Sequence, residues 1–377
     1  MDIQSILASP TALLLPAFLF VIVLIVFIHE MGHYLVGRWS GIRVMSFSLG
    51  FGPELFGFTD RHGTRWKFAA IPLGGYVRFY GDADAASTPD FESVAELPEA
   101  ERRKTFLGAK LWKRAATVAA GPIANFLLAI VILTGLFIAN GKFVTDPVVS
   151  EVRPESAAAE AGVQPGDLLV ALDGRPIETF DDVRRYVSIR PGTRIDVTIK
   201  RGDENLVLPM TPKLSEITDR FGNKIELGII GISTDRSAGN MRMVSLSPIA
   251  SVKEAVRETW GIVTGTFDYI GNIIRGRMSA DQLGGPIRVA QTSGQVATLG
   301  FTALLHLAAV LSVSIGLLNL MPIPVLDGGH LMFYAIEALR GKPVGETAQA
   351  VAYRIGMALV LSLMIFATWN DISAQIG

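Results

Sequence analysis

Residues 12–36 read ALLLPAFLFVIVLIVFIHEMGHYLV. As a helix, this apolar run is long enough to cross the ~30 Å hydrocarbon layer of a bilayer, so a membrane span is predicted from about Ala12 to Val36. No Lys or Arg precedes it, and it runs into His-Glu rather than a small-residue cleavage site, so it is expected to be kept rather than removed as a signal. On a helix, His29 and His33 lie four apart on one face, so both imidazoles can reach one ion with Glu30 beside it. Histidines snorkelling to the interface would explain the imidazoles. They would not explain Glu30, because an unpaired carboxylate at membrane depth costs ~2.5–3.5 kcal/mol. Counted from Ala12, His29 lies roughly 25 Å along the helix at 1.5 Å per residue, which puts a metal inside the hydrocarbon layer near one boundary.

Composition agrees with a membrane protein that carries a substantial water-exposed part. Half of the 377 residues are hydrophobic and 18% are charged, against roughly 25% in a soluble domain. Mean hydropathy is +0.40. The 34 basic and 35 acidic residues nearly cancel, which excludes a polycationic nucleic-acid binder. Without cysteine, disulfides, thiolate zinc sites and a cysteine nucleophile are excluded. A metal must sit on His, Asp or Glu.

Three further spans are predicted: about Ala115–Ala139, Phe301–Leu320 and Val351–Trp369. Basic residues near span ends set their direction. Arg102, Arg103, Lys104, Lys110, Lys113 and Arg114 precede the second span, and Arg340, Lys342 and Arg354 lie between the third and fourth. Both connections therefore read as cytoplasmic, and the termini and the 140–300 segment as external.

The loops differ in character. Residues 44–82, with VMSFSLGFGPELFGF and TRWKFAAIPLGGYVRFY around Asp60-Arg61-His62-Gly63, read as a membrane-associated β-hairpin or meander. Residues 81–101 are acidic and small, a solvated part of the 83–114 cytoplasmic loop. Residues 141–235 are short apolar runs punctuated by Pro-Gly-Asp (165–167), Asp-Gly (173–174), Pro-Gly (191–192) and Gly-Asp (202–203), which predicts one small β-rich external domain with helices near 156–161 and 180–188. Within 236–300, residues 248–277 have helical spacing but are too polar to span, and read as an amphipathic helix on the external face.

A catalytic zinc takes three protein ligands and keeps one open position. For the third ligand the chain offers His62, His306, His330 and the carboxylates, and Asp327 stands out, with His330 its rival, in Asn319-Leu-Met-Pro-Ile-Pro-Val-Leu-Asp-Gly-Gly-His330. This stretch closes the third span, which runs in the same direction as the first, so Asp327 reaches the depth of His29. Pro322 and Pro324 are expected to end the helix and Gly328-Gly329 to turn the backbone. Asp327 also reads as an N-cap for a helix over 330–339, a use compatible with ligation because the two employ different oxygens. Asn319 is placed to hold an extended backbone through its amide. Asn125 reads chiefly as an interhelical hydrogen-bonding residue.

HEMGH in a first span, IPLGGYVRFYGD (71–82), AAGPIANF (119–126) and NLMPIPVLDGGH (319–330) together resemble the bacterial site-2 protease family of RseP-like intramembrane zinc metalloproteases, over nearly the whole chain. The resemblance implies a helical polytopic membrane protein of four transmembrane helices: one in 1–43 with the histidine motif, one at 115–140, one in 301–328, and a fourth that follows a cytoplasmic connection within 329–377. A PDZ-like domain is inserted at 141–235, where relatives often carry two. It further implies one Zn2+ per chain on His29, His33 and Asp327, Glu30 as catalytic base, and Asn319, Pro322 and Pro324 lining the substrate cleft. The implied location is the bacterial inner membrane, with the PDZ-like domain extracytoplasmic and the zinc near the cytoplasmic face. The expected substrates are single-span membrane proteins, anti-sigma factors or signal-peptide remnants, cut beforehand by another protease. The lipid bilayer is the other partner, and nucleic acid is not one. A helical substrate must unwind before cleavage, and the edge of the 44–82 hairpin either pairs with the unwound segment or is a passive interfacial plug. Two other classes compete: an inactive PDZ-type membrane scaffold, which has no need of Glu30, and a zinc transporter, for which a second intramembrane metal cluster is missing.

Overall fold

A computed structural model describes residues 10–82, 91–219, 221–235 and 241–376. They divide into two compact units, one built from residues 1–133 and 284–377 and the other from 134–283.

The first unit holds the apolar helices. Helix α1 (Pro10–Trp39) leads into strands β1 (Val44–Thr59) and β2 (Arg65–Phe79), short helices α2 (Phe91–Ala95) and α3 (Glu99–Arg102), and α4 (Leu111–Asn140), whose last turns enter the second unit. Residues 83–90 of the acidic loop lie outside the described residues. Among the described residues, α1, α4 and two later helices, Phe301–Asn319 and Glu346–Ile376, are long and apolar enough to cross a membrane. The protein is thus a polytopic helical membrane protein with four spans. Each runs where the hydropathy places it, and three are longer than predicted. At 30 residues, α1 is roughly 45 Å long. Leu127, Val131, Ile138, Ile365 and Phe366 are exposed on these helices, a pattern suited to lipid rather than water.

Small residues let the spans approach closely. Val21 and Ile25 of α1 pack with Leu304 and the fully buried Ala308, and Ser312 Oγ donates to the Asn125 carbonyl of α4 at 2.8 Å, a packing mode that lipid-embedded helices favour. Of the 236–300 segment, residues Pro286–Ala297 stand in this first unit. The carboxylate of Asp371, buried near the end of the fourth span, accepts the backbone N–H groups of Gly285 and Arg288, each at 2.9 Å. It thereby satisfies two of the orphan donors at that helix start.

The hairpin is folded back on itself. Its outer half pairs Phe56 with Phe68 and Phe58 with Trp66, whereas Phe47, Ser48 and Leu49 each have two partners: Val77 and Trp66, Tyr76 and Lys67, Gly75 and Phe68. The inner part of β1 is therefore flanked on both sides. The turn of the hairpin is fixed to α1: Tyr34 OH of α1 and Trp66 Nε1 of β2 donate to Asp60 Oδ2 at 3.0 and 3.1 Å, and Trp66 stacks on Phe47. Burial alone would raise the Asp60 pKa. Bonds from Trp66, the backbone N–H groups of Thr64 and His62, and Tyr34 outweigh it and lower the value to about 2.

The second unit comprises β3 (Lys142–Thr145), β4 (Glu151–Val152), α5 (Ala157–Glu160), β5 (Leu168–Leu172), β6 (Arg175–Pro176), α6 (Phe180–Ser188), β7 (Ile195–Arg201), β8 (Glu204–Met210), β9 (Lys213–Thr218), β10 (Lys224–Ile229), β11 (Ile232–Ser233), β12 (Met241–Val244) and α7 (Pro248–Ile274). One sheet has the order β6-β5-β7-β8, and β9–β10, β4–β11 and β3–β12 form antiparallel pairs. Inward residues of β5 and β7 (Leu169, Leu172, Ile195, Val197, Ile199) close a core with Val183 and Val187 of α6. Helix α6 starts where Thr179 and Asp182 cap one another's backbone. Arg201 grips Asp167 with two bonds at 2.8 Å and holds its carboxyl below the usual range. Helix α7 is clamped to α6 by Arg185–Glu258 at 3.0 Å, and to the residues just after it by the Arg190–Asp268 pair and by Asn272 Nδ2 on the Ile189 carbonyl at 2.6 Å. Its opposite side leaves Ile249, Val252, Val256, Trp260, Phe267 and Ile274 exposed, recurring at helical spacing as an amphipathic helix requires.

The first unit then continues with α8 (Pro286–Ala297), α9 (Phe301–Asn319), α10 (Asp327–Arg340) and α11 (Glu346–Ile376). Helix α9 ends at Asn319, before either proline. The backbone reversal expected of Gly328-Gly329 falls instead on Val325, whose φ is +97°, a region costly for a β-branched residue. Both glycines lie inside α10. Their role is close approach: a β-carbon on Gly328 would stand 2.2 Å from the Met321 carbonyl oxygen, and one on Gly329 2.4 Å from that of Ile323.

Candidate metal and catalytic centre

Two elements bring three side chains to one point of the first unit. Helix α1 brings His29 and His33 one turn apart, and the first residue of α10 brings Asp327. His29 Nε2 is 3.3 Å from His33 Nε2 and 3.3 Å from Asp327 Oδ2, and His33 Nε2 is 3.5 Å from the same oxygen. Zinc bonds of 2.0–2.1 Å in a tetrahedron require neighbouring donor atoms about 3.3 Å apart. These three edges fit that figure. Asp327 Oδ2 is buried and faces the two imidazole nitrogens at 3.3 and 3.5 Å without a well-formed hydrogen bond to either, as suits an oxygen that would share a cation with them. A donor set of two imidazoles and one carboxylate matches catalytic zinc sites, which leave a fourth position to water or substrate.

Asp327 is therefore not the cap that its position before a helix suggests. The helix begins at Asp327 itself, Leu326 is the N-cap, and no side chain caps it. His330 is drawn elsewhere: its Nδ1 lies 3.3 Å from Tyr353 OH on α11. His62 is exposed in the hairpin turn and His306 on α9.

Helix α4 supports both histidines, a role no local pattern announces. His33 Nδ1 donates to the Thr117 carbonyl at 2.9 Å. One turn on, a β-carbon on Gly121 would stand 2.2 Å from His33 Nε2, so only glycine fits. A further turn on, the Asn125 amide is 3.2 Å from His29 Nδ1. The interhelical bond expected of Asn125 exists, and its partner is a metal-site histidine. Glu30 is 8% exposed, and the hairpin lies against it: a β-carbon on Gly75 would stand 3.0 Å from Glu30 Cγ. Asn319 closes α9, and Pro322 and Pro324 lie in the segment between α9 and α10. Span α11 presses on that segment through Gly356, a contact the sequence did not flag, although a lone glycine within a span is its signal.

Comparison with known proteins gives consistent relatives. The model of peptidase family M50 matches residues 17–363. A protein of Agrobacterium fabrum assigned as a zinc metalloprotease is 66% identical over 360 residues, 96% of each chain. A Rhizobium meliloti protein with the same assignment is 62% identical over 374 residues, 99% of this chain and all of its own. Metalloprotease MmpA of Caulobacter vibrioides is 37% identical over 383 residues, 96% of each chain. Among solved structures, the PDZ domain of an SdrC-like protein from Listeria monocytogenes aligns with 23% of this chain and 83% of its own at 26% identity, with a TM-score of 0.18.

Proposed function

The chain belongs to peptidase family M50 and is an intramembrane zinc metalloendopeptidase of the site-2 type, and on that premise we propose how its residues do the work. One zinc per chain is held by His29, His33 and Asp327, with Glu30 as the catalytic base. The observation that carries this is the triangle of donor atoms, His29 Nε2, His33 Nε2 and Asp327 Oδ2, with edges of 3.3, 3.3 and 3.5 Å.

A zinc ion bound there supplies Lewis acidity, acidifying water and polarising the scissile carbonyl. Glu30 takes the proton of the attacking water and delivers it to the leaving amine. Thr117 fixes the ring of His33 through its carbonyl, as partners of metal-bound histidines do. Asn319, Pro322 and Pro324 line the path of the substrate backbone. Proline lacks a backbone N–H, so this irregular segment between α9 and α10 suits a lining for an unwound peptide. The inner part of β2, whose Gly75 lies against Glu30, offers a strand edge to that peptide.

Family membership implies proteolysis of membrane proteins. The finer substrate reading is a single-span protein already trimmed by another protease. The 141–235 segment acts as a PDZ-like domain on the extracytoplasmic side of the inner membrane, excluding substrates with bulky external parts, while the metal lies nearer the cytoplasmic face. The exposed apolar stripe of α7 suits the lipid interface.

The test is cleavage of a single-span substrate by purified protein, with zinc removed by chelator and restored, alongside metal analysis of Asp327→Ala and His330→Ala. Chelator-sensitive cleavage, with zinc lost from Asp327→Ala and kept by His330→Ala, is the expected result. Zinc lost from His330→Ala and kept by Asp327→Ala would overturn the ligand assignment.

A further inference from the structure

The Asn125 side chain lies buried between spans and uses only half of its amide. One group is 3.2 Å from His29 Nδ1, and the other, assigned as Oδ1, has no hydrogen-bond partner. A residue kept to glue helices together would use both groups, and one kept for packing would be apolar, since burying an unpaired amide group opposes folding. The contact with His29 is what remains to account for it.

The orientation of that amide has chemical content. His29 Nε2 faces His33 and Asp327 at 3.3 Å, so it is the atom that must present a bare lone pair to a metal. The ring proton then sits on Nδ1, and Nδ1 needs an acceptor. In the orientation assigned, the amide nitrogen faces Nδ1, which sets donor against donor. The two ends of an amide have nearly the same shape, so the hydrogen-bond network decides which one faces His29. Turning the amide over resolves the conflict.

We propose that Asn125 is a positioning residue for the metal centre: its Oδ1 accepts the Nδ1 proton of His29, fixing the tautomer and the ring plane in which Nε2 can bind zinc. His33 is served in the same way by the Thr117 carbonyl, two turns earlier on α4. One face of this helix, carrying residues 117, 121 and 125, thus orients both imidazoles and clears the space between them. The residue completes a ligand–acceptor pair of the kind that sets affinity in zinc sites. The proposal rests on the zinc reading of the site.

The experiment measures zinc affinity of the purified full-length protein in detergent by chelator competition, with apo-protein thermal unfolding and the absorption spectrum of the Co2+-substituted protein alongside. Asn125→Leu keeps the volume and removes the acceptor; zinc binding is expected to weaken by about 10–100-fold, with a shifted Co2+ spectrum and unfolding of the apo protein little changed. Asn125→Asp keeps an acceptor and is expected to bind zinc within about threefold of the parent. Parental zinc affinity in Asn125→Leu would overturn the proposal, since a role confined to packing leaves the metal untouched. Asn125→Asp binding as weakly as Asn125→Leu would overturn it as well, because the amide N–H would then be the group that matters. If Asn125→Leu does not fold, Asn125→Asp against the parent decides on the same criterion. A parental protein that binds no zinc would sink the metal reading itself, a distinct outcome.

Discussion

Gly356 of α11 lies so close to Pro324 that a β-carbon on it would stand 1.9 Å from the Pro324 carbonyl oxygen. The fourth span is otherwise largely exposed, so this contact joins it to the segment that carries Pro322, Pro324 and, three residues on, Asp327. A methyl group there must push the segment or the span aside, and overpacking of this kind costs about 1–3 kcal/mol. Gly356→Ala is expected to lower kcat/KM and zinc affinity together. Gly135→Ala, at a glycine with nothing within 4 Å of its β-carbon position, is the matched control. Equal zinc affinity and kcat/KM in the two variants would show that the contact has no part in holding Asp327.

Glu30→Gln tests the acid–base role. Gln is nearly isosteric but does not accept the water proton, and losing a general acid–base typically costs ~10²–10⁴ in rate. Zinc content should be unchanged, since Glu30 is not among the three clustered ligands. Turnover of a model substrate near the parental rate would refute the assignment.

The Asp60 carboxyl gives a pH signature outside the spans. Its folded pKa of about 2 lies below the ~3.9 of an unfolded Asp. A depressed folded value stabilises above the unfolded pKa, and that contribution is lost as pH falls through about 4 towards 2. The site is partly exposed, so the amount is about 1 kcal/mol. Asp60→Asn is expected to unfold at lower temperature than the parent at pH 6, with the gap closing towards pH 2. A gap that stays constant over that range would assign the loss to shape rather than charge.

Strands β3 and β12 pair Thr145 with Met241, so the chain leaves and returns at adjacent positions of one ladder. Residues 146–240 can therefore be replaced by a two-residue Asn-Gly turn, which suits such a hairpin. If this segment excludes untrimmed substrates, its removal should leave cleavage of a trimmed substrate intact and newly permit cleavage of the untrimmed one. An unchanged preference in the folded, zinc-loaded variant would remove the segment from substrate choice.

Orientation is testable because the chain has no cysteine background. A cysteine at position 200 is expected to react with an impermeant reagent from the periplasmic side, and one at position 342 only after the inner membrane is opened. The reverse pattern would invert the proposed topology.

The sequence by itself determined the four spans, the hairpin, the β-rich insert and the His29/Glu30/His33 set, because each is written in short-range periodicity. Apolar runs of bilayer length admit few structures other than helices, alternation and turn residues mark strands, and an i, i+4 pair shares a helix face whatever surrounds it. Local spacing also placed α6 over 180–188 and an amphipathic helix from 248. Only the tertiary structure showed Asp327 beside the two histidines and His330, three residues on, turned to Tyr353. This placement follows from α11, whose Tyr353 engages His330, and from the close packing of Gly328, Gly329 and Gly356 against the preceding segment, which sets where α10 begins. The services of α4 to the histidines were equally hidden. Thr117, Gly121 and Asn125 lie 84 or more residues from the atoms they serve, and contacts between separate spans leave no trace in the periodicity of either helix. The turn assigned to two glycines fell on Val325 for the same reason: glycine permits a reversal, but here its missing side chain was needed for close contact between segments.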